Sequence, residues 1–302
     1  MENTQQLTWL QTARHHSSKH PYISWGLFGS FILIVLLVVL ALTGEHQLYS
    51  RYALLGGGAG FAATAIGTLP ALFLKNIPQR LSDLMLGFAA GMMLAASAFS
   101  LLLPGIDAAI NYTNSNFIGG MIVVFGMALG VALMLGLDQF TPHEHKAGPC
   151  GPGHERCGRA WLFVFAIALH NFPEGMAIGV GYAQGDLSVG LPLTTAIALQ
   201  DIPEGLAVAL TLRAAGFKPL FSVLLAIATG LLEPMGSMLG VSLAGGYMLA
   251  YPIGLGLAGG AMLFVVSHEV IPETHRSGHE TLATLGLMIG FALMMILDTT
   301  LG

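Results

Sequence analysis

Nine runs of nearly uninterrupted apolar residues, at 25–43, 52–74, 84–103, 117–137, 160–183, 189–212, 219–243, 247–267 and 281–297, alternate with short polar segments along the chain. An α-helix rises about 1.5 Å per residue, so roughly 17–25 residues cross a hydrocarbon core about 30 Å thick. None of the runs shows the two-residue alternation of a transmembrane β-strand, and a lipid-exposed backbone must satisfy its own hydrogen bonds, so the pattern predicts an all-α polytopic membrane bundle. The first run, 25–43, can also be read as a cleavable signal sequence with Arg14 and Lys19 in front of it. A retained helix is the expectation, because no small-x-small cleavage site follows. The preceding residues 1–24, rich in Gln, Thr, His and Ser, read as a disordered cytoplasmic tail.

Composition narrows the class. Only 9% of the 302 residues are charged and 54% are hydrophobic, whereas soluble domains carry about 25% charge. With 11 Lys plus Arg in the whole chain there is no basic surface for nucleic acid. The placement of those cations sets the orientation. If the nine runs alternate, Arg14, Lys19, Lys75, Arg80, Lys146, Arg156, Arg159, Arg213, Lys218 and Arg276 share one side, and Arg51 stands alone on the other. The excess of Lys and Arg belongs on the cytoplasmic side, which predicts a cytoplasmic N-terminus and an outside C-terminus in a bacterial inner membrane.

Inside the runs the ionisable residues are few and gathered: His170 and Glu174 in the fifth, Asp201 and Glu204 in the sixth, Glu233 in the seventh, with Asn171 and Gln200 beside them. All lie close to the midpoints of their runs. Each buried charge costs about 2.5–3.5 kcal/mol on insertion scales, and no Lys or Arg shares that depth. Protons or cations must therefore compensate the four carboxylates, and two divalent ions would cancel them. His170 and Glu174 at i,i+4, and Asp201 and Glu204 at i,i+3, project from single helix faces. A mixture of imidazole, carboxylate and amide oxygen suits Zn2+ and neighbouring first-row divalents better than Mg2+ or Ca2+.

An internal repeat reinforces the site. Ala168-Leu169-His170-Asn171-Phe172-Pro173-Glu174-Gly175 is echoed by Ala198-Leu199-Gln200-Asp201-Ile202-Pro203-Glu204-Gly205 on the next, oppositely directed run. Such inverted repeats frame midplane substrate sites in many secondary transporters. Each copy has a proline before its Glu, and Glu233 is followed by Pro234. Proline removes a helical hydrogen bond and frees the carbonyl four residues back, so irregular backbone is expected at the depth of the carboxylates.

Further candidates surround this core. Met93, Ser97 and Ser100 recur at i, i+4 and i+7 on one face of the third run, with Asp107 expected just beyond its outer end. The methionine reads either as packing or as a ligand. At the inner end of the eighth run, Ser267, His268 and Glu269, followed by Glu273, His275 and His279, form a second polar cluster near an exit. The cytoplasmic linker at 141–159 carries His143, His145, Cys150, His154 and Cys157. The cysteines are expected to be reduced thiols, and their spacing matches no zinc finger. The linker is either a metal-handling loop or an ordinary solvated segment.

At the His-Asn-x-Pro-Glu-Gly, Gln-Asp-x-Pro-Glu-Gly and Glu-Pro motifs the sequence resembles the Zrt/Irt-like (ZIP) divalent-metal transporters, especially their bacterial GufA-like branch, from about residue 52 to residue 302. The resemblance implies an eight-helix transporter domain that imports Zn2+, and also Cd2+, Fe2+ or Mn2+, as substrate ions, two per protomer, with no organic cofactor. It implies a binuclear centre: one ion held by Met93, His170, Glu174 and Glu204, the other by Asn171, Glu174, Asp201, Glu204 and Glu233, with Glu174 and Glu204 bridging. Gln200 stands where a His is common in eukaryotic relatives. A homodimer is also implied, with an elevator-like motion of the helices at 52–74, 160–183, 189–212 and 219–243 against the rest, for which the glycines at 56–60 and 254–260 suit sliding or static contact. An enzyme is not expected: no P-loop motif and no His-Glu-x-x-His appear. An intramembrane zinc enzyme or a proton relay on the same carboxylates are the competing readings.

Overall fold

The computed structural model describes residue 39 and residues 47–140, 155–185, 187–245 and 249–302. The expected helix at 25–43 and most of the His/Cys linker lie outside the described residues. Among the described residues every regular element is helical. In chain order they are α1 (Gln47–Thr68), α2 (Gln79–Ala95), α3 (Leu103–Thr113), α4 (Asn116–Phe140), α5 (Glu155–Tyr182), α6 (Leu187–Ala214), α7 (Pro219–Gly230), α8 (Leu232–Ala244), α9 (Ala250–Val265), α10 (Ile271–Thr274) and α11 (Glu280–Leu301). Among the described residues seven helical stretches are long and apolar enough to cross a membrane: 48–72, 79–113, 116–136, 187–214, 219–244, 250–274 and 280–301. At 28 residues, α5 has the length of an eighth. The protein is a multi-pass membrane protein.

Two helix groups build the bundle. α1, α5, α6, α7 and α8 pack on one another, as do α2, α3, α4, α9 and α11, and the two groups meet chiefly where α5 and α8 touch α9 and where α6 touches α2 and α11. Glycine pairs explain the tightest contacts. Gly87 and Gly91 of α2 lie against the backbone of Ala283 and Leu287 in α11, while Gly286 and Gly290 of α11 lie against Leu84 and Phe88. The same reciprocal small-xxx-small packing joins α4 to α9 through Gly126, Gly130, Gly256 and Gly260, and α5 to α8 through Gly175, Gly179, Gly236 and Gly240. Without side chains the backbones approach closely, and dispersion accumulates along the seam where lipid offers no hydrophobic drive. Gly56 and Gly57 likewise face α5, α6 and α8, so most of these glycines hold each group together internally, whereas Gly254 faces the other group, at Val180 and Ala244.

Three local departures from the expected spans bear on the site. The third run does not end at 103: a π-helical segment, Ala96–Leu102, leads into α3, which continues until Asn114 adopts a left-handed conformation at φ 52°. Asp107 is thus an exposed residue on a helix rather than beyond one. The seventh run is two helices, broken at Leu231 between α7 and α8. Pro234 has no N–H to give the Gly230 carbonyl, so the continuous ladder fails there. A second π-helical segment, Val266–Val270, joins α9 to α10.

Candidate metal centre

α5 and α6 continue through Pro173 and Pro203 without interruption. Their prolines leave the Leu169 and Leu199 carbonyls without the usual helical donors. The polar faces of both helices turn toward each other and toward the first turn of α8, which carries Glu233. His170, Asn171, Glu174, Gln200, Asp201, Glu204 and Glu233 are all between 0 and 4% exposed. The two sequence repeats are therefore brought together at one buried place.

The distances within it have a chemical meaning. His170 Nε2 stands 3.6 Å from Glu174 Oε1 and 3.8 Å from Glu204 Oε2. Those spacings are long for hydrogen bonds. They approach the separation of about 3.4 Å between neighbouring ligand atoms around a tetrahedral ion with bonds of about 2.1 Å. One ligand atom from each of His170, Glu174 and Glu204 fits within a sphere of mutual distances under 4.8 Å. Seven atoms of the cluster are buried with no hydrogen-bond partner: both ring nitrogens of His170, Glu174 Oε2, Gln200 Oε1, Asp201 Oδ2, Glu204 Oε1 and Glu233 Oε2. Buried polar atoms in native proteins are almost always satisfied. An inventory of carboxylate oxygens and an imidazole with unused lone pairs fits divalent cations.

Neutral donors reach two of the carboxylates. The Gln200 amide donates to Glu174 Oε1. The Thr64 hydroxyl of α1 donates to Glu233 Oε1 at 2.9 Å. The carboxyls of Asp201 and Glu233 are within interaction range of one another, and Asp201 also feels Glu174 and Glu204. Among the described residues no Lys or Arg approaches these four acids, so their charge is left for protons or cations to balance.

The remaining sequence candidates separate. Met93 is buried and lines a pocket with His170, Pro173, Glu174, Met262 and Val265. Ser97 bonds back to the Met93 carbonyl at 2.8 Å, and Ser100 turns to Asp298 of α11 at 2.6 Å, because the π-helical segment rotates it off the line that regular helical spacing would follow. Glu269 lies near enough to Glu204 for their charges to repel, whereas His268 is exposed and stacked on Phe264. His275 Nδ1 contacts the Ile271 carbonyl at 2.9 Å, and His279 Nδ1 pairs with the buried Asp83 at 2.9 Å. The expected exit cluster is thus spread over four separate contacts. His143, His145, Cys150 and His154 lie outside the described residues, as does the side chain of Cys157. Sequence reasoning missed Met262 and Thr64. The methionine had a signal, since Gly91-Met92-Met93-Leu94 is echoed by Gly260-Ala261-Met262-Leu263, each before a π-helical segment and a proline, Pro104 or Pro272.

A multi-pass fold, all helical among the described residues and enclosing there a buried, basic-free cluster of acids and a histidine, defines a membrane protein with a candidate cation site. The family profile described as "ZIP Zinc transporter" matches residues 143–298. Over 291 residues the chain is 61% identical to zinc transporter ZIPB of Bordetella bronchiseptica, covering 95% of this chain and 94% of that protein. It is 40% identical to zinc transporter GufA of Myxococcus xanthus, over 80% of this chain and 95% of that one. Similarity extends to zinc transporter ZIP11 of Homo sapiens, at 31% identity over 83% and 97% of the two chains. The protein belongs to the ZIP family, in its GufA-like bacterial branch.

Proposed function

We propose that the protein imports divalent transition-metal ions into the cytoplasm, Zn2+ foremost, with Cd2+, Fe2+ and Mn2+ as further substrates. The named zinc transporters among its relatives support that substrate class. The observation that carries the reading is the buried His170, Glu174 and Glu204 group with its unpartnered atoms. Charge and geometry support two ions per protomer. Glu174 and Glu204 each turn one oxygen to His170 and keep the other buried and unpartnered, which is what a carboxylate shared between two cations must offer. The first ion takes Met93, His170, Glu174 and Glu204. The second takes Asn171, Asp201 and Glu233 with the same two bridging glutamates. Gln200 acts through its hydrogen bond to Glu174 rather than as a direct ligand.

The N-terminus is cytoplasmic and the C-terminus outside in this proposal, so Glu269 lies on the inner side of the site. Alternating access by an elevator motion of α1, α5, α6, α7 and α8 is supported by the division of the bundle into two groups, each locked internally by glycine contacts. The functional unit is a homodimer, and the helix at 25–43 precedes a transporter domain at 52–302. Purified protein in sealed liposomes should accumulate Zn2+ without ATP, whether or not a pH gradient is imposed. Proton flux without metal uptake would instead identify a proton relay and overturn the transport reading.

A further inference from the structure

α1 brings no charged side chain to the midplane, yet it touches the acids directly. Hydroxyls inside apolar helices ordinarily turn back to a carbonyl of their own helix. Ser97, Thr195, Thr211 and Ser242 all do so, each to the residue four positions earlier. Thr64 does not. Its hydroxyl crosses to Glu233 Oε1 at 2.9 Å, with Thr64 3% and Glu233 0% exposed. The space that allows this is made by glycines. Gly205 lies against the Thr64 backbone, and Gly230, at the break between α7 and α8, lies against its side chain.

One turn earlier on the same face, Gly60 lies under the second oxygen of the same glutamate. A side chain there would overlap Glu233 Oε2 and stand 3.0 Å from Asp201 Oδ2. Apart from the contact between the two carboxyls themselves, both of those oxygens are buried without partners. Thr64 therefore occupies one oxygen of Glu233, and Gly60 leaves room for the other beside Asp201. We infer that Gly60 and Thr64 are positioning residues for the second cation: Thr64 fixes Glu233 as a one-oxygen ligand, and Gly60 keeps open the space where Glu233 Oε2 and Asp201 Oδ2 converge. The inference rests on the two-ion reading above. It makes α1, which supplies no ligand, the determinant of whether the second ion is held.

Partners that orient a ligand from behind typically account for about 10–100-fold in metal affinity. The test is a Zn2+ titration of the purified full-length protein in detergent against a chromophoric chelator, with Glu233→Ala marking the second equivalent. Thr64→Val, nearly isosteric, should weaken that equivalent about tenfold or more and leave the first unchanged. Thr64→Ser should restore it, and Gly60→Ala should abolish it. Adding Thr64→Val to Glu233→Ala should cause no further loss, since the hydroxyl acts only through that glutamate. An unchanged first equivalent reports intact folding, and Thr64→Ala serves where Thr64→Val loses both. Two full-affinity equivalents in Thr64→Val would overturn the positioning role and leave the two-ion reading standing. Equal losses in Thr64→Val and Thr64→Ser would overturn the role of the hydroxyl. One equivalent in the unsubstituted protein would overturn both proposals.

Discussion

Gly175 follows the proposed bridging Glu174 and lies against the backbone of Glu233, so a single methyl group there should loosen the second cation position. A Cβ on Gly175 would stand 2.7 Å from both the carbonyl carbon and the Cα of Glu233, where ordinary contact begins at 3.4 Å. Backbone cannot rotate away as a side chain can, and the Glu233 carbonyl oxygen lies closer still, so α8 must retreat by at least about 0.7 Å, the difference of those two distances. Metal–ligand distances are held to about ±0.2 Å, so this displacement exceeds what the Glu233 bond can absorb. Gly91 provides the control. Its Cβ would stand 2.7 Å from the Leu287 carbonyl carbon and 2.8 Å from the Phe291 nitrogen, an equal clash in the other helix group. Overpacking costs about 1–3 kcal/mol in either place. Gly175→Ala and Gly91→Ala should therefore lower the thermal midpoint in detergent to a similar degree, while only Gly175→Ala weakens Zn2+ binding, by about 10–100-fold. Equal weakening in both, or none in Gly175→Ala, would refute the claim that this helix contact sets the ligand geometry.

Two further outcomes follow from access and from the linker. In a background without Cys150 and Cys157, Ser267→Cys, at an exposed position, should react with an impermeant thiol reagent applied from the cytoplasmic side, while Ser100→Cys, buried beside Asp298, should be protected. Metal should shift the two in opposite directions, and equal labelling at both positions regardless of metal would count against alternating access. Replacing residues 143–157 with a neutral linker should reduce uptake or its regulation but leave midplane metal binding intact, because none of the linker's His or Cys residues is proposed as a core ligand. Loss of the midplane ions in a folded replacement variant would contradict that separation.

The described spans and the candidate site were legible in the sequence for one reason. A bilayer forces contiguous apolar helices and penalises every unexplained charge, so His170, Glu174, Asp201, Glu204 and Glu233 stand out without any tertiary information. What stayed hidden depends on neighbours that sequence spacing does not record. Thr64 looks like any hydroxyl in an apolar helix until Glu233 is found 2.9 Å away. Ser100 follows Met93 at helical spacing, but the π-helical segment Ala96–Leu102 sends it to Asp298 instead. Local periodicity likewise could not tell that Gly256 and Gly260 face α4 within their own helix group. Nor does a tally of His residues near an exit reveal that His279 pairs with Asp83 while His275 binds its own helix.

The bridging of two cations by Glu174 and Glu204 is the central claim, and metal stoichiometry tests it most directly. Elemental analysis of the purified protein after exposure to Zn2+ and removal of weakly held metal should give two ions per protomer. Glu233→Ala should retain one, and Glu174→Gln and Glu204→Gln should each retain none at high affinity, because each glutamate turns one oxygen to His170 and keeps its other oxygen buried and unpartnered, as the proposed bridge requires. Two ions retained in Glu174→Gln would contradict the account.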